Sequence, residues 1–197
     1  MLGPKLRCVV SVSGIRGVIG DTLDVGQLLG LAQAFGIAIA HCERVVIGRD
    51  TRTTGPMLTQ AVAAGLRSVG CEVVDIGIVP TPTLAIAVKE LHAHGGIMIS
   101  SSHNTSEWNA LKLFNRDGRN VDQGQLDVVL ECYQDPPIGS HRGWDGVGGF
   151  TENSRPRHSS FAGISSRERQ SHTHSKHQGT SRLRKRCRIC IGAEAAA

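Results

Sequence analysis

No run of apolar residues in this 197-residue chain approaches the roughly 18 to 20 needed to cross a bilayer, and its first residues lack the long apolar segment of a secretory leader. A soluble, cytoplasmic protein with no membrane partner is the expectation. Cysteine is also sparse. The six stand at positions 8, 42, 71, 132, 187 and 190, mostly single within apolar or mixed segments, whereas a disulfide-rich secreted fold is shorter and denser in them. Reduced thiols are expected, and Cys187-x-x-Cys190 has no matched second pair to complete a zinc site. Absent too are a Gly-x-Gly-x-x-Gly and a Walker-type lysine loop, so no nucleotide site is expected.

What is present is unevenly distributed. The formal charge is +5, yet residues 1–153 carry 12 Lys/Arg against 15 Asp/Glu while residues 154–197 carry 10 against 2. Hydrophobic patterning divides at the same place. Leu6 to Val12 is β-branched and apolar, as in a strand, and breaks at the glycine-bounded turn Ser13-Gly14-Ile15-Arg16-Gly17. Thr22 is placed to cap a helix whose apolar positions Leu28, Leu31, Ala32, Phe35 and Ile39 recur at helical spacing up to His41.

A second unit repeats this, with a strand over Arg44 to Ile47, a polar Gly48-Arg49-Asp50-Thr51-Arg52, and a helix opened by Pro56 and running to about Val69. A strand from Cys71 to Ile76 and a stiff Pro80-Thr81-Pro82-Thr83 connection precede a helix from Leu84 to His92. Ile97-Met98-Ile99 is apolar on both faces and too short for a helix, as expected of a central strand. Leu111 to Phe114 reads as a further strand, and Gln123 to Cys132 as a closing helix.

Strands alternating with helices predict a three-layer α/β/α sandwich on a mixed, mostly parallel sheet. The domain is expected over residues 1–135, with a linker over 136–153. From Ser154 onward neither period survives, and Arg/Ser/His-rich sequence of this kind cannot bury enough apolar area to offset its chain entropy, so 154–197 is expected to be a disordered basic tail.

In open α/β sheets the functional loops lie beyond the carboxyl ends of the strands, which puts Ser100-Ser101-Ser102-His103-Asn104 at the mouth of the domain. A serine hydroxyl can carry a phosphoryl group if cations neutralise it, and Arg16, Arg49, Arg52 and Lys112 are the candidates on other strands. A Ser-His pair at a strand end is otherwise a capped turn, and Arg49 and Arg52 otherwise cap helices or pair with Asp50.

Ser13 to Gly17, Val46 to Arg52 and Ser100 to Lys112, in that order, resemble the first-domain motifs of the α-D-phosphohexomutases, which include phosphoglucomutases, phosphomannomutases and phosphoglucosamine mutases. The resemblance implies a phosphosugar mutase in which phosphoserine at Ser102 gives its phosphoryl group to a hexose monophosphate. A bisphosphate intermediate then turns over and returns the other phosphate, so that phosphate moves between C6 and C1. It also implies Mg2+ on the phosphoserine oxygen of Ser102, phosphate charge held by Arg16 and Lys112, proton transfer assisted by His103, and support from Asn104, Arg49 and Arg52.

Departures from the family pattern are plain. Thr105 stands where the family has proline, and Ser101 where it has alanine. The aspartate-rich magnesium loop, Asp-Gly-Asp-x-Asp-Arg, occurs nowhere, and neither do the sugar-recognition and later phosphate-binding segments. Little or no turnover is therefore expected of this chain alone, and the abrupt change after Phe150 points to a truncation or a reading-frame shift. The alternative is a noncatalytic protein binding an anion or nucleic acid through the phosphate loop and basic tail. Nucleic acid is not the expected partner, because Phe161 is the tail's single aromatic and offers almost no stacking platform.

Overall fold

The computed structural model describes residues 6–152, so the expected tail at 154–197 lies outside the described residues. Eleven elements follow in order: β1 (Val9–Ser11), β2 (Gly14–Val18), α1 (Val25–Ala38), β3 (Val45–Arg49), α2 (Gly55–Ser68), β4 (Val73–Ile78), α3 (Thr81–Glu90), β5 (Gly95–Ile99), β6 (Trp108–Asn115), α4 (Gln123–Gln134) and β7 (Phe150–Glu152). The strands form a single mixed sheet in the order β1-β2-β6-β5-β3-β4-β7. β5, β3, β4 and β7 are mutually parallel, while β6 runs against both β5 and β2, and β1 against β2. Five of the seven strands thus point the same way.

Side-chain alternation along the strands builds two cores. Val45, Ile47, Ile97, Ile99, Leu111 and Leu113 face α1, α2 and α4, and Phe35, Leu28, Leu31, Leu58, Leu66 and Val129 close over them. Val46, Val74, Met98 and Phe114 face the other way, under Leu84, Ala87 and Val88 of α3. This is the expected α/β/α sandwich, with β5 central and buried along its whole length. Each large aliphatic side chain so enclosed contributes about 1.5 to 3 kcal/mol. Helix α3 packs on β3 and β5, whereas Arg16 of β2 and Lys112 of β6, on that same face of the sheet, stay only half-buried.

Local structure departs from the sequence reading at several points. The Ser13 to Gly17 turn is instead mostly β2: the chain reverses at Val12-Ser13, Gly14 pairs with Ser11 at φ +141, and Ile15 to Val18 find ladder partners on β6. Thr22 does not cap α1. Its hydroxyl accepts from the Val18 amide at 2.9 Å, and Asp24 forms a reciprocal capping box with Gln27. Helix α3 begins at Thr81, with Pro82 in the first turn where its missing N–H costs nothing.

Within the stretch expected as a linker, Phe150–Glu152 add an edge strand to β4. The segment before it is tied down by Arg142 N donating to Ser68 O at 2.8 Å, Gly148 N to Arg67 O at 3.0 Å, and Arg67 Nε to Gly148 O at 2.9 Å. A Cβ on Gly148 would stand 1.7 Å from the Cys71 carbonyl oxygen, so only glycine permits this approach. Among the described residues no helix is long and apolar enough to cross a membrane.

Candidate functional site

The loop after β5 leaves the sheet at its centre. Ser100 donates its amide to Ala110 O at 3.0 Å, continuing the ladder for one residue, and Ser100 and Ser101 are buried. Ser102 then turns outward with φ +57, a left-handed conformation costly for a serine, and its side chain is exposed. Two local bonds hold that shape: Ser102 N to Ser100 Oγ at 3.2 Å and Asn104 Nδ2 to Ser101 Oγ at 3.0 Å. Thr105 donates its hydroxyl to Glu107 at 2.6 Å, and this bond, more than any other influence, holds the Glu107 carboxyl below the usual range. His103 is exposed beside Ser102.

Arg52 fastens the whole loop. Its guanidinium donates to the carbonyls of Ser102 (3.1 Å), Asn104 (2.7 Å), Trp108 (3.0 Å) and Thr105, while Nε bonds Asp50 at 3.1 Å. Asp50 in turn accepts the Arg52 amide, so the arginine is oriented from behind before it reaches the loop. A planar cation with five donors satisfies several carbonyls at once, which a lysine cannot do. Arg49 is placed differently. It donates to the Asp50 carbonyl at 3.3 Å, and its Cδ would lie 3.2 Å from a Cβ on Gly55, at the start of α2.

Arg16 and Lys112 come together through strand register. Arg16 sits opposite Ala110, and antiparallel partners and alternate residues share a face, so Arg16 and Lys112 are diagonal neighbours on one face. Gly14 makes room for the lysine, since a Cβ there would lie 3.3 Å from Lys112 Cγ. Arg16 Nη2 donates to Ser11 Oγ and Ser13 Oγ, both at 3.2 Å, yet its Nε is buried with no partner among the described residues. Because Ser100 bonds the other edge of Ala110, Arg16 stands two strand spacings, roughly 10 Å, from the start of the serine loop.

One further polar residue was not singled out by the sequence reading. Asn109 is fully buried, donates to Thr54 Oγ1 at 3.0 Å and accepts from the Ala110 amide at 2.9 Å, linking the first residues of β6 to the start of α2. Its signal was an amide side chain at the head of a largely apolar strand, just before Ala110 and Leu111.

An α/β/α domain that presents an outward serine on a clamped loop, with two cations on the adjoining sheet face, is suited to handling a phosphoryl group. The family described as phosphoglucomutase/phosphomannomutase, alpha/beta/alpha domain I, matches residues 9–136. A phosphoglucosamine mutase of Clostridioides difficile (strain 630) is 38% identical over 148 residues, covering 70% of this chain and 33% of that protein. A phosphoglucomutase/phosphomannomutase of Thermococcus kodakarensis is 37% identical over 124 residues, covering 61% and 27%. The crystal structure of a phosphoglucomutase/phosphomannomutase family protein from Burkholderia thailandensis superposes with a TM-score of 0.61 at 30% identity, covering 74% of this chain and 34% of that one.

The chain belongs to the phosphoglucomutase/phosphomannomutase family and carries its domain I. It spans a third or less of the length of these curated relatives. Among the described residues no group of three or more His, Cys, Asp or Glu could hold a metal ion, and Asp50, the carboxylate behind the serine loop, is engaged by Arg52. These residues do not by themselves fit the magnesium ion that the sequence resemblance implies.

Proposed function

We propose that Ser102 carries the phosphoryl group in a phosphosugar mutase reaction, with this chain supplying the serine-bearing domain. The observation that supports this most directly is the pairing of an exposed Ser102, held at φ +57 by a loop clamped on Arg52, with a sheet face bearing Arg16 and Lys112. Loop rigidity fixes the attacking or leaving oxygen, and the two cations offset phosphate charge.

In the transfer, a hydroxyl oxygen of a hexose phosphate forms a bond to phosphorus as the Ser102 Oγ–P bond breaks. The hydroxyl proton goes to a base, for which exposed His103 is the candidate, and the Ser102 oxygen leaves with the electron pair of the broken bond. The reverse transfer from the other end of the sugar returns phosphate to Ser102, and the net result is movement between C6 and C1. The chain alone supplies the acceptor and part of the charge neutralisation, so sustained turnover by it is expected to be small or nil.

The test is incubation of the chain with a hexose 1,6-bisphosphate and magnesium, followed by location of phosphate by mass spectrometry. Label on Ser102, lost in Ser102→Ala, is expected. Label on any other residue, or none on Ser102, overturns the assignment.

A further inference from the structure

Asn109 stands where the serine loop leaves the sheet, on the face away from the cations. Alternate residues of a strand share a face, so Asn109 lies with Leu111 and Leu113 on the side covered by α1, α2 and α4. Lys112, and Arg16 opposite Ala110, lie on the other side. The Asn109 carboxamide therefore does not meet a phosphate held by those two cations.

Its oxygen takes over the last rung of the ladder. The register of β5 and β6 pairs Met98 with Lys112 and Ile99 with Leu111, and Ser100 N donates to Ala110 O at 3.0 Å as the next bond. In an antiparallel pair such a bond is one of two that the residues exchange. Here the second is not made, because Ala110 N donates to Asn109 Oδ1 at 2.9 Å rather than to the Ser100 carbonyl. The chain at Ser100 is thus released to turn off toward Ser102 without leaving a buried N–H orphaned. Since a backbone N–H can only donate, this bond also fixes which end of the carboxamide is oxygen.

The nitrogen end ties β6 to α2. Asn109 Nδ2 donates to Thr54 Oγ1 at 3.0 Å. Thr54 occupies the cap position of α2, yet its side chain makes no capping bond, so a hydroxyl that ordinarily stabilises a helix start is committed to β6 instead. The neighbouring residue of β6, Trp108, accepts from Arg52 at 3.0 Å through its carbonyl. Arg52–Trp108 and Thr54–Asn109 thus run side by side between the same two segments, and neither segment can pivot about a single bond. That fixes the angle at which Arg52 reaches the carbonyls of Ser102 and Asn104.

From this arrangement we propose that Asn109 is a positioning residue for phosphoryl transfer at Ser102, a role that rests on the reading of Ser102 as the phosphate carrier. It ends the β5–β6 ladder where the loop must turn outward and, through Thr54, sets Arg52 against that loop. It touches neither the phosphate nor the sugar, so its loss misplaces the Ser102 oxygen without removing a contact to substrate.

The experiment follows the rate at which the full chain acquires phosphate on Ser102 from a hexose 1,6-bisphosphate with magnesium, over a series of bisphosphate concentrations. Asn109→Leu, close in size but without polar side-chain atoms, should lower the maximal rate by about 10- to 100-fold and move the half-saturating concentration by less than about threefold. Thr54→Val keeps the bond to Ala110 N and loses the tie to α2, so a smaller fall is expected, and Thr54→Ser, which restores the hydroxyl, should label near the wild-type rate. Val129→Ala truncates a fully buried core side chain in α4. It should lower Tm while Ser102 labels as in the wild type, which separates positioning from stability. A maximal rate in Asn109→Leu within about twofold of wild type, an equal fall in Val129→Ala, or no difference between Thr54→Val and Thr54→Ser overturns the proposal and leaves Ser102 as the carrier. The Thr54 pair decides the matter if Asn109→Leu does not fold. No label on wild-type Ser102 overturns the reading of function, and the role of Asn109 with it.

Discussion

Arg52→Ala is the substitution that most directly tests how the serine loop is held. The Arg52 side chain is 12% exposed and makes four carbonyl contacts, two of them, to Trp108 and Asn104, partly buried. Carbonyls of Ser102 and Thr105 lie at the exposed rim and recover water when the guanidinium is lost, so they add little. Bonds from a charged donor net about 1.5 to 3 kcal/mol each, and sharing one donor makes them less than additive, so the loss is expected at about 3 kcal/mol. The Asp50 pair, at 24% exposure on the carboxylate side, adds little after solvent screening.

Urea unfolding gives the global change, and hydrogen exchange read on peptides spanning residues 100–108 gives the local one. Faster exchange in those peptides, with the α1 and α2 peptides following only the global loss, is the expected pattern. Arg52→Lys should recover less than half, since an ammonium cannot fork across the same carbonyls. A variant within about 0.5 kcal/mol of wild type and unchanged exchange at 100–108 would refute the clamp.

Two further outcomes follow from close contacts and charge. Gly65→Ala places a Cβ 2.5 Å from the Leu29 carbonyl oxygen and 3.1 Å from Ala32 Cβ, so α1 and α2 must separate. Despite the better helix propensity of alanine, a net loss of about 1 to 3 kcal/mol is expected in chemical denaturation. Burial raises the carboxyl pKa of Asp75, a shift only partly offset by the Gly77 amide and by Arg49. A raised acid pKa means the folded state binds the proton more tightly, so this group's contribution is greatest below its unfolded pKa of 3.8 and is lost as pH rises through the folded value. Asp75→Asn, which keeps an acceptor for Gly77, should flatten that slope above the unfolded pKa and gain stability relative to wild type at pH 7. Equal slopes in the two proteins contradict it.

Much of the fold was legible along the chain because burial on both faces leaves a local mark. Strands β3 and β5 are short apolar runs, and α1 and α2 show apolar positions at helical spacing, so alternation of the two periods predicts the layers. The misplacements share a cause. Strand β2 is glycine-flanked and reads as a turn until β1 and β6 supply its hydrogen bonds, and β7 is three exposed residues whose only strand signal is its partner β4. At the start of α1, Thr22 and Asp24 are both competent caps, and the choice fell to the residue that could complete a reciprocal box with Gln27.

The candidate site divides in the same way. The Ser100 to Asn104 loop was visible because hydroxyls and an imidazole directly after a buried strand are a local pattern. The four-carbonyl grip of Arg52 was not, since it joins residues about fifty positions apart. Nor was the pairing of Arg16 with Lys112, which depends on Arg16 standing opposite Ala110 rather than one residue along; a slip of one would turn the arginine to the other face.

By itself, then, the sequence determined the alternation of strand and helix, the family motifs and the identity of the serine loop, because periodicity and short-range polarity are written residue by residue. Tertiary structure alone decided which cation clamps the loop and which two share a face beside it. Those relations are set by register and by close backbone approach between segments that the chain order keeps apart.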